Sequence, residues 1–210
     1  MYSIRKQLLN FWKASNYCLS YLNYDRIEEK QIYVYSSGVL NTIWQSWGRY
    51  WRTLWLAHLM GGLDRCNIII VKSASFPNYS TEEEAIHYLL HLLGKRSRPI
   101  GRISGSYQEP TWGDVDVIQN LSLKIPIPGN DILNAFSVLG DAPKHLQIVR
   151  NASIHFNKDV IEELKIKIIP HYIISNIRYP TDIIFAKHLV TGKIAIKDWL
   201  DKLFAFIRSI

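Results

Sequence analysis

An arginine, an asparagine and a histidine stand together late in the chain, in the segment Arg150-Asn151-Ala152-Ser153-Ile154-His155. These residue types suit the cleavage of RNA without a metal. The ribose 2′-hydroxyl attacks the neighbouring phosphate, so no metal-bound water is needed. Protons must pass to or from the 2′-oxygen and the departing 5′-oxygen, which a histidine titrating near neutrality can do. Charge on the phosphorane must be stabilised, and the planar fork of arginine matches phosphate oxygens. Asn151 can orient the phosphate or fix the imidazole. Lys144, His145 and Lys158 can hold flanking phosphates.

The element carrying these residues must be a helix for the spacing to have meaning. Asn151 and His155 are four apart and share a helical face. Arg150 and His155 are five apart, about 140° around the axis and ~7.5 Å along it, so they do not touch directly. A shared site then needs a second copy of the chain. The helix opens at Asp141, with Pro143 in its first turn. It is expected to run towards Ile169, where Pro170 stops it, with Asn157-Lys158-Asp159 able to break or kink it.

The surroundings read as mainly helical. Apolar spacing predicts helices over 3–22, 37–60, 80–93 and 193–209, with shorter ones near 113–123 and over 130–139. In the helix over 37–60, Trp44, Trp47, Trp51 and Trp55 form a stripe that reads as core rather than as a stacking platform. Ser36 and Ser37 are its expected caps and Gly61-Gly62 its stop. Arg49 and Arg52 fall on another face and are candidates for phosphate or partner contact. Residues 31–35, QIYVY, fit either a short extended segment or part of that helix. The run 67–71, NIIIV, has strand character, and 95–130 is loop-rich.

An arginine, a polar residue, three more positions and a histidine, on a late helix of a helical bundle, resemble the HEPN superfamily motif. Arg150, Asn151 and His155 match its R-polar-x3-H form, and the stretch LNTIWQSWGRYWRTLW is similar to the aromatic helix of some defence-associated members. The resemblance covers residues 1–60 and 130–170. It implies a mainly α, HEPN-like bundle spanning residues 1–210 as one domain. The loop-rich insertion 95–130 and a helical extension 171–210 would be added to it. It implies a metal-independent endoribonuclease with no cofactor, acting as a toxin or phage-defence effector. His155 would be general acid/base, Arg150 the phosphorane stabiliser and Asn151 the orienting group. It also implies a homodimer with a composite site and an antitoxin or defence-complex partner. Some such toxins carry a tyrosine two residues after the histidine for a partner enzyme to adenylylate. Here Phe156 and Asn157 follow, so silencing by that route is not expected. A HEPN-type protein that binds RNA or a defence partner without cutting is the alternative.

Other candidates are weaker. Glu83, His87 and His91 are spaced for zinc, but a solvated polar face is the simpler reading. Lys95, Arg96, Arg98 and Arg102 form a basic loop suited to RNA backbone or to solvent. Gly101 and Gly105 lack the GK[ST] sequence that a phosphate-binding loop requires. Asp114 and Asp116 have no second acidic cluster to share a metal. The net charge of +7 favours a polyanionic partner. Two cysteines, Cys18 and Cys66, make no disulfide framework, and no apolar run reaches membrane length, so the expected setting is cytoplasmic.

Overall fold

The computed structural model describes residues 1–22, 29–72, 76–125, 127, 132–155 and 157–210. It is mainly α-helical, 66% helical with small sheets. Among the described residues, no helix is long and apolar enough to cross a membrane. The chain packs as two compact units, Met1–Trp12 with Ser46–Leu133, and Lys13–Gln45 with Asn134–Ile210. Helices α1 (Ile4–Tyr21) and α2 (Glu29–Met60) each lend residues to both.

The first unit is built on the second half of α2. Its tryptophans are core, as their spacing predicts: Trp47, Trp51 and Trp55 are all fully buried. Trp51 meets Trp47 edge-on at 5.5 Å and stacks on Trp55 at 5.7 Å. The indole N–H of Trp47 donates to the Gly113 carbonyl at 2.9 Å. Burial goes beyond one stripe, because Leu56, Ala57 and Leu59 are buried too. A helix apolar on most sides is a helix wrapped by its neighbours. Gly61 and Gly62 end it, as expected. Gly61 takes a positive φ of 89°, and a Cβ on Gly62 would lie 2.8 Å from the Tyr2 carbonyl. That carbonyl belongs to β1 (Tyr2–Ser3), which pairs in parallel with β2 (Gly62–Leu63). Strand β3 (Ile69–Ile70) adds antiparallel to β2, so the strand character of the isoleucine run is realised in two residues.

Helix α3 (Glu82–Leu92) starts on a capping box, with the Thr81 hydroxyl accepting from the Glu84 N–H and the Glu84 carboxylate accepting from the Thr81 N–H. Helix α4 (Val115–Lys124) starts on Asp114, whose carboxylate accepts from the Asp116 N–H.

The second unit holds the rest of α2, most of α5 (Ile132–Leu139), α6 (Ala142–Ile154), α7 (Lys158–Lys167) and α8 (Ala195–Ser209). Helix α6 packs against α7, α8 and a 3-10 helix at Pro180–Phe185. Strands β4 (Tyr172–Ile173) and β5 (Lys187–His188) form an antiparallel pair. From α8, Trp199, Leu203, Phe206 and Ile207 are all buried.

The structure corrects several local expectations. Helix α2 begins at Glu29, not near residue 37. Ser36 is not a cap but a fully buried helix residue, because 36, 40 and 43 extend the tryptophan stripe backwards at helical spacing. Of the residues at apolar spacing in α1, Ile4, Phe11, Ser15 and Cys18 face inward, whereas Trp12 is 49% exposed. Asp141 stands at the N-cap of α6 but makes no side-chain cap bond. Its φ of −85° and ψ of 1° are not the extended conformation that aims a cap oxygen at N2 or N3. Residues 23–28, 73–75, Pro126, 128–131 and Phe156 lie outside the described residues, so the first two residues of the expected 130–139 helix are not described.

Trp51 touches aromatic rings on two sides, and its loss would leave a large void. Trp51→Ala is expected to lower unfolding stability by about 3–5 kcal/mol, read as a shift of the urea midpoint with Trp51→Phe as the milder control.

Candidate functional site

Helix α6 carries the arginine and asparagine of the sequence motif and stops one residue before the histidine. His155 is its C-cap, with φ −112° and ψ 87°, and its N–H still donates to the Asn151 carbonyl at 2.8 Å. The helix ends there because Asn157 starts another. The Asn157 side chain accepts from the Val160 N–H at 3.0 Å and caps α7. The break allowed for at 157–159 is thus real, and His155 projects from the junction, exposed. Among the described residues its imidazole has no hydrogen-bond partner.

Arg150 is half-buried, and what surrounds it is unusual. Its Nε and Nη2 donate to the Asn41 side-chain oxygen at 3.2 and 2.9 Å. Its Nη1 donates to the Asn151 side-chain oxygen at 3.1 Å. Burial holds its pKa below the usual arginine value, and it stays a cation. Among the described residues no carboxylate pairs with it. Two neutral amides fix the fork in place, and among the described residues they leave its charge uncompensated. The guanidinium has five N–H groups, so two remain for a further acceptor. Nearby, the Ser153 hydroxyl donates to the Arg150 carbonyl, and the Tyr33 hydroxyl donates to the Ser153 carbonyl at 2.7 Å.

Asn41 and Tyr33 were not legible as site residues. Asn41 is a half-buried amide beside the apolar Leu40 and Ile43, which marks it as odd, but no spacing rule joins it to a residue 109 positions away.

The other expected contacts divide. Lys144 is half-buried on α6 and Lys158 is exposed at the start of α7, both in the unit that holds the motif. His145, expected to hold a phosphate, is buried at 6% exposure. The Trp199 indole N–H donates to the Tyr172 oxygen at 2.7 Å, and the Tyr172 O–H lies 2.7 Å from His145 Nδ1. The chain of donors ends on His145 Nδ1 as acceptor, which requires a neutral imidazole. Burial, helped by neighbouring His171, pushes its pKa down to about 4. His145 is a core residue of this unit.

Arg49 and Arg52 belong to the other unit. Arg49 is exposed. Arg52 is not open to phosphate, because its guanidinium is gripped by Glu82 and by both oxygens of Glu109. The Trp112 indole N–H and the Tyr2 hydroxyl donate to the same two carboxylates. Burial opposes the Arg52 charge, but these hydrogen bonds outweigh it and hold its pKa above the ordinary value. The zinc and solvent readings of α3 also give way to a third role. His87 Nε2–H donates to the Arg98 carbonyl and His91 Nδ1–H to the Arg96 carbonyl. The two histidines fasten the basic loop. A Cβ at Gly101 would come within 2.5 Å of the His87 ring, so a larger residue there would push that ring aside. Among the described residues no group of three or more His, Cys, Asp or Glu side chains could hold a metal ion.

Comparison of the chain with protein-family profiles, with curated proteins and with solved structures finds no match.

The neutral burial of His145 makes stability depend on acid. Its folded pKa lies below the unfolded value, so its contribution is full above pH 6.5 and is lost as pH falls towards 4. The loss is about 3 kcal/mol. Urea unfolding at pH 7, 5.5 and 4 is expected to show this slope, and His145→Gln to flatten it.

Proposed function

We propose that the chain is a HEPN-type, metal-independent endoribonuclease and that Arg150, Asn151 and His155 are its catalytic residues. One observation carries this reading. Arg150 is a partly desolvated cation held by amides instead of acids. A cation with a structural role is ordinarily answered by a carboxylate, as Arg52 is in the other unit. A cation fixed but not neutralised is preorganised for an anion that arrives later, and a phosphorane is such an anion.

The step balances without a cofactor. The 2′-oxygen forms a bond to phosphorus as its proton leaves, and the bond from phosphorus to the 5′-oxygen breaks as that oxygen takes a proton. The products are a 2′,3′-cyclic phosphate and a 5′-hydroxyl. His155 is one proton carrier. A second carrier is supplied by His155 of another copy, which makes the acting form a homodimer. Lys144 and Lys158 hold flanking phosphates. The proposed setting is a toxin or defence effector restrained by a partner protein.

The exposure of His155, with no hydrogen-bond partner among the described residues, favours a second reading, an RNA-binding or adaptor subunit of a defence complex. A general base is ordinarily oriented by another group. That reading keeps Arg150 as an anion contact and drops the cleavage.

Purified protein is expected to cut RNA in EDTA and to leave 2′,3′-cyclic ends. His155→Ala is expected to slow cleavage on the order of 10²- to 10⁴-fold with the fold intact. Cleavage that needs a metal, or that survives the substitution, overturns the assignment. Bound but uncut RNA favours the adaptor. A second experiment isolates the charge of Arg150. Asn41→Asp keeps the acceptor oxygen but adds the missing carboxylate. It is expected to cost roughly 10- to 100-fold in kcat, whereas a purely structural Arg150 would tolerate or welcome it.

A further inference from the structure

The second unit contains an open pocket of about 420 Å³ lined by residues from 173–186 and by Ile32 of α2. Ile32, Ile174 and Phe185 supply apolar walls, and Asn176 and Arg178 supply polar groups. Tyr179 lines it as well. One face of the Tyr179 ring rests on Tyr33, with centroids 4.9 Å apart and planes at 29°, yet the residue remains 42% exposed. Two hydrogen bonds brace this wall. The Asp182 carboxylate accepts from the backbone N–H groups of Arg178 and Tyr179 at 2.8 and 3.0 Å. Both bonds reach one oxygen, and the carboxylate keeps its charge on the pocket wall.

The position of Tyr33 ties this pocket to the motif. Its ring supports Tyr179, and its hydroxyl is bonded to the Ser153 carbonyl, two residues before His155. One aromatic side chain thus separates the pocket from the end of α6.

We propose that this pocket takes one unpaired nucleobase of a single-stranded RNA whose backbone passes Arg150. The proposal rests on RNA being the substrate. Its volume is that of a small-molecule site, and its lining divides about evenly between apolar and polar side chains. A base has a flat face for Tyr179 and edge atoms for Asn176, and Arg178 is exposed where the attached phosphate would lie. The pocket makes the protein a reader of single strands, because a paired base cannot enter it.

The test uses the full chain carrying His155→Ala and a fluorescein-labelled single-stranded RNA hexamer, followed by anisotropy. Tyr179→Ala is expected to weaken binding about tenfold, and Tyr179→Phe to leave it unchanged. Hexamers lacking one base at each position in turn provide the cycle. At one position, loss of the base should weaken the His155→Ala protein about tenfold and the Tyr179→Ala version hardly at all. Ile173→Glu, at an exposed residue lining the pocket, should also weaken binding. Val190→Glu, in the same unit outside the pocket and 88% exposed, should not. Equal binding by Tyr179→Ala, or equal loss in the two glutamate variants, overturns the site while leaving the cleavage reading standing. Base-dependent binding by a wild-type protein that does not cut upholds the site and removes the nuclease. No binding at all removes both.

Discussion

Helix α6 is buried at Ala142, Pro143, His145, Leu146, Ile148, Val149, Ala152 and Ser153, and exposed from Ile154 onward. The second unit is arranged around that fact. Burial of those positions requires α7, α8 and the Pro180–Phe185 turn to close on the helix. It also puts Arg150 at the edge of the apolar region, where a charged fork loses part of its water. A partly desolvated cation must be met by hydrogen bonds, and here they come from the side-chain oxygens of Asn41 and Asn151. The geometry of the candidate site follows from that requirement, as does the charge it retains.

The two best-described arginines show how much the choice of partner decides. Arg52 sits between Glu82 and Glu109, inside a cluster completed by Tyr2 and Trp112, and its charge is neutralised on the spot. Arg150 is held as firmly in direction, but by amides. An amide oxygen accepts a hydrogen bond without cancelling the charge behind it. The same side chain is bound by two carboxylates in one unit and by two side-chain amides in the other. Net charge, which counts both alike, does not distinguish them.

Histidines make the same point. His145 ends a donor chain from Trp199 through Tyr172 and is neutral for that reason. His87 and His91 donate to carbonyls of the basic loop. His155, at the exposed junction of α6 and α7, keeps both ring nitrogens clear of described partners, as the exposed His171 also does, and His155 is the one the motif selects. Its separation from Lys144 and Arg150 along one helix would have suggested a continuous rod. The Asn157 cap ends that rod and turns the histidine outward.

The sequence by itself determined what depends on neighbours a few residues apart. The tryptophan stripe at 3.6-residue spacing, the Gly61-Gly62 stop and the final amphipathic helix are all local, and each is found where its pattern put it. Arg150, Asn151 and His155 were legible as a group for the same reason. The tertiary structure decided what depends on distant partners. It set Asn41 against Arg150 across 109 positions, buried His145 while leaving Lys144 beside it half-open, and gave Arg52 to two glutamates. Helical period says which side chains share a face. It does not say whether that face meets a carboxylate, an amide or water, and that choice sets the charge available for chemistry.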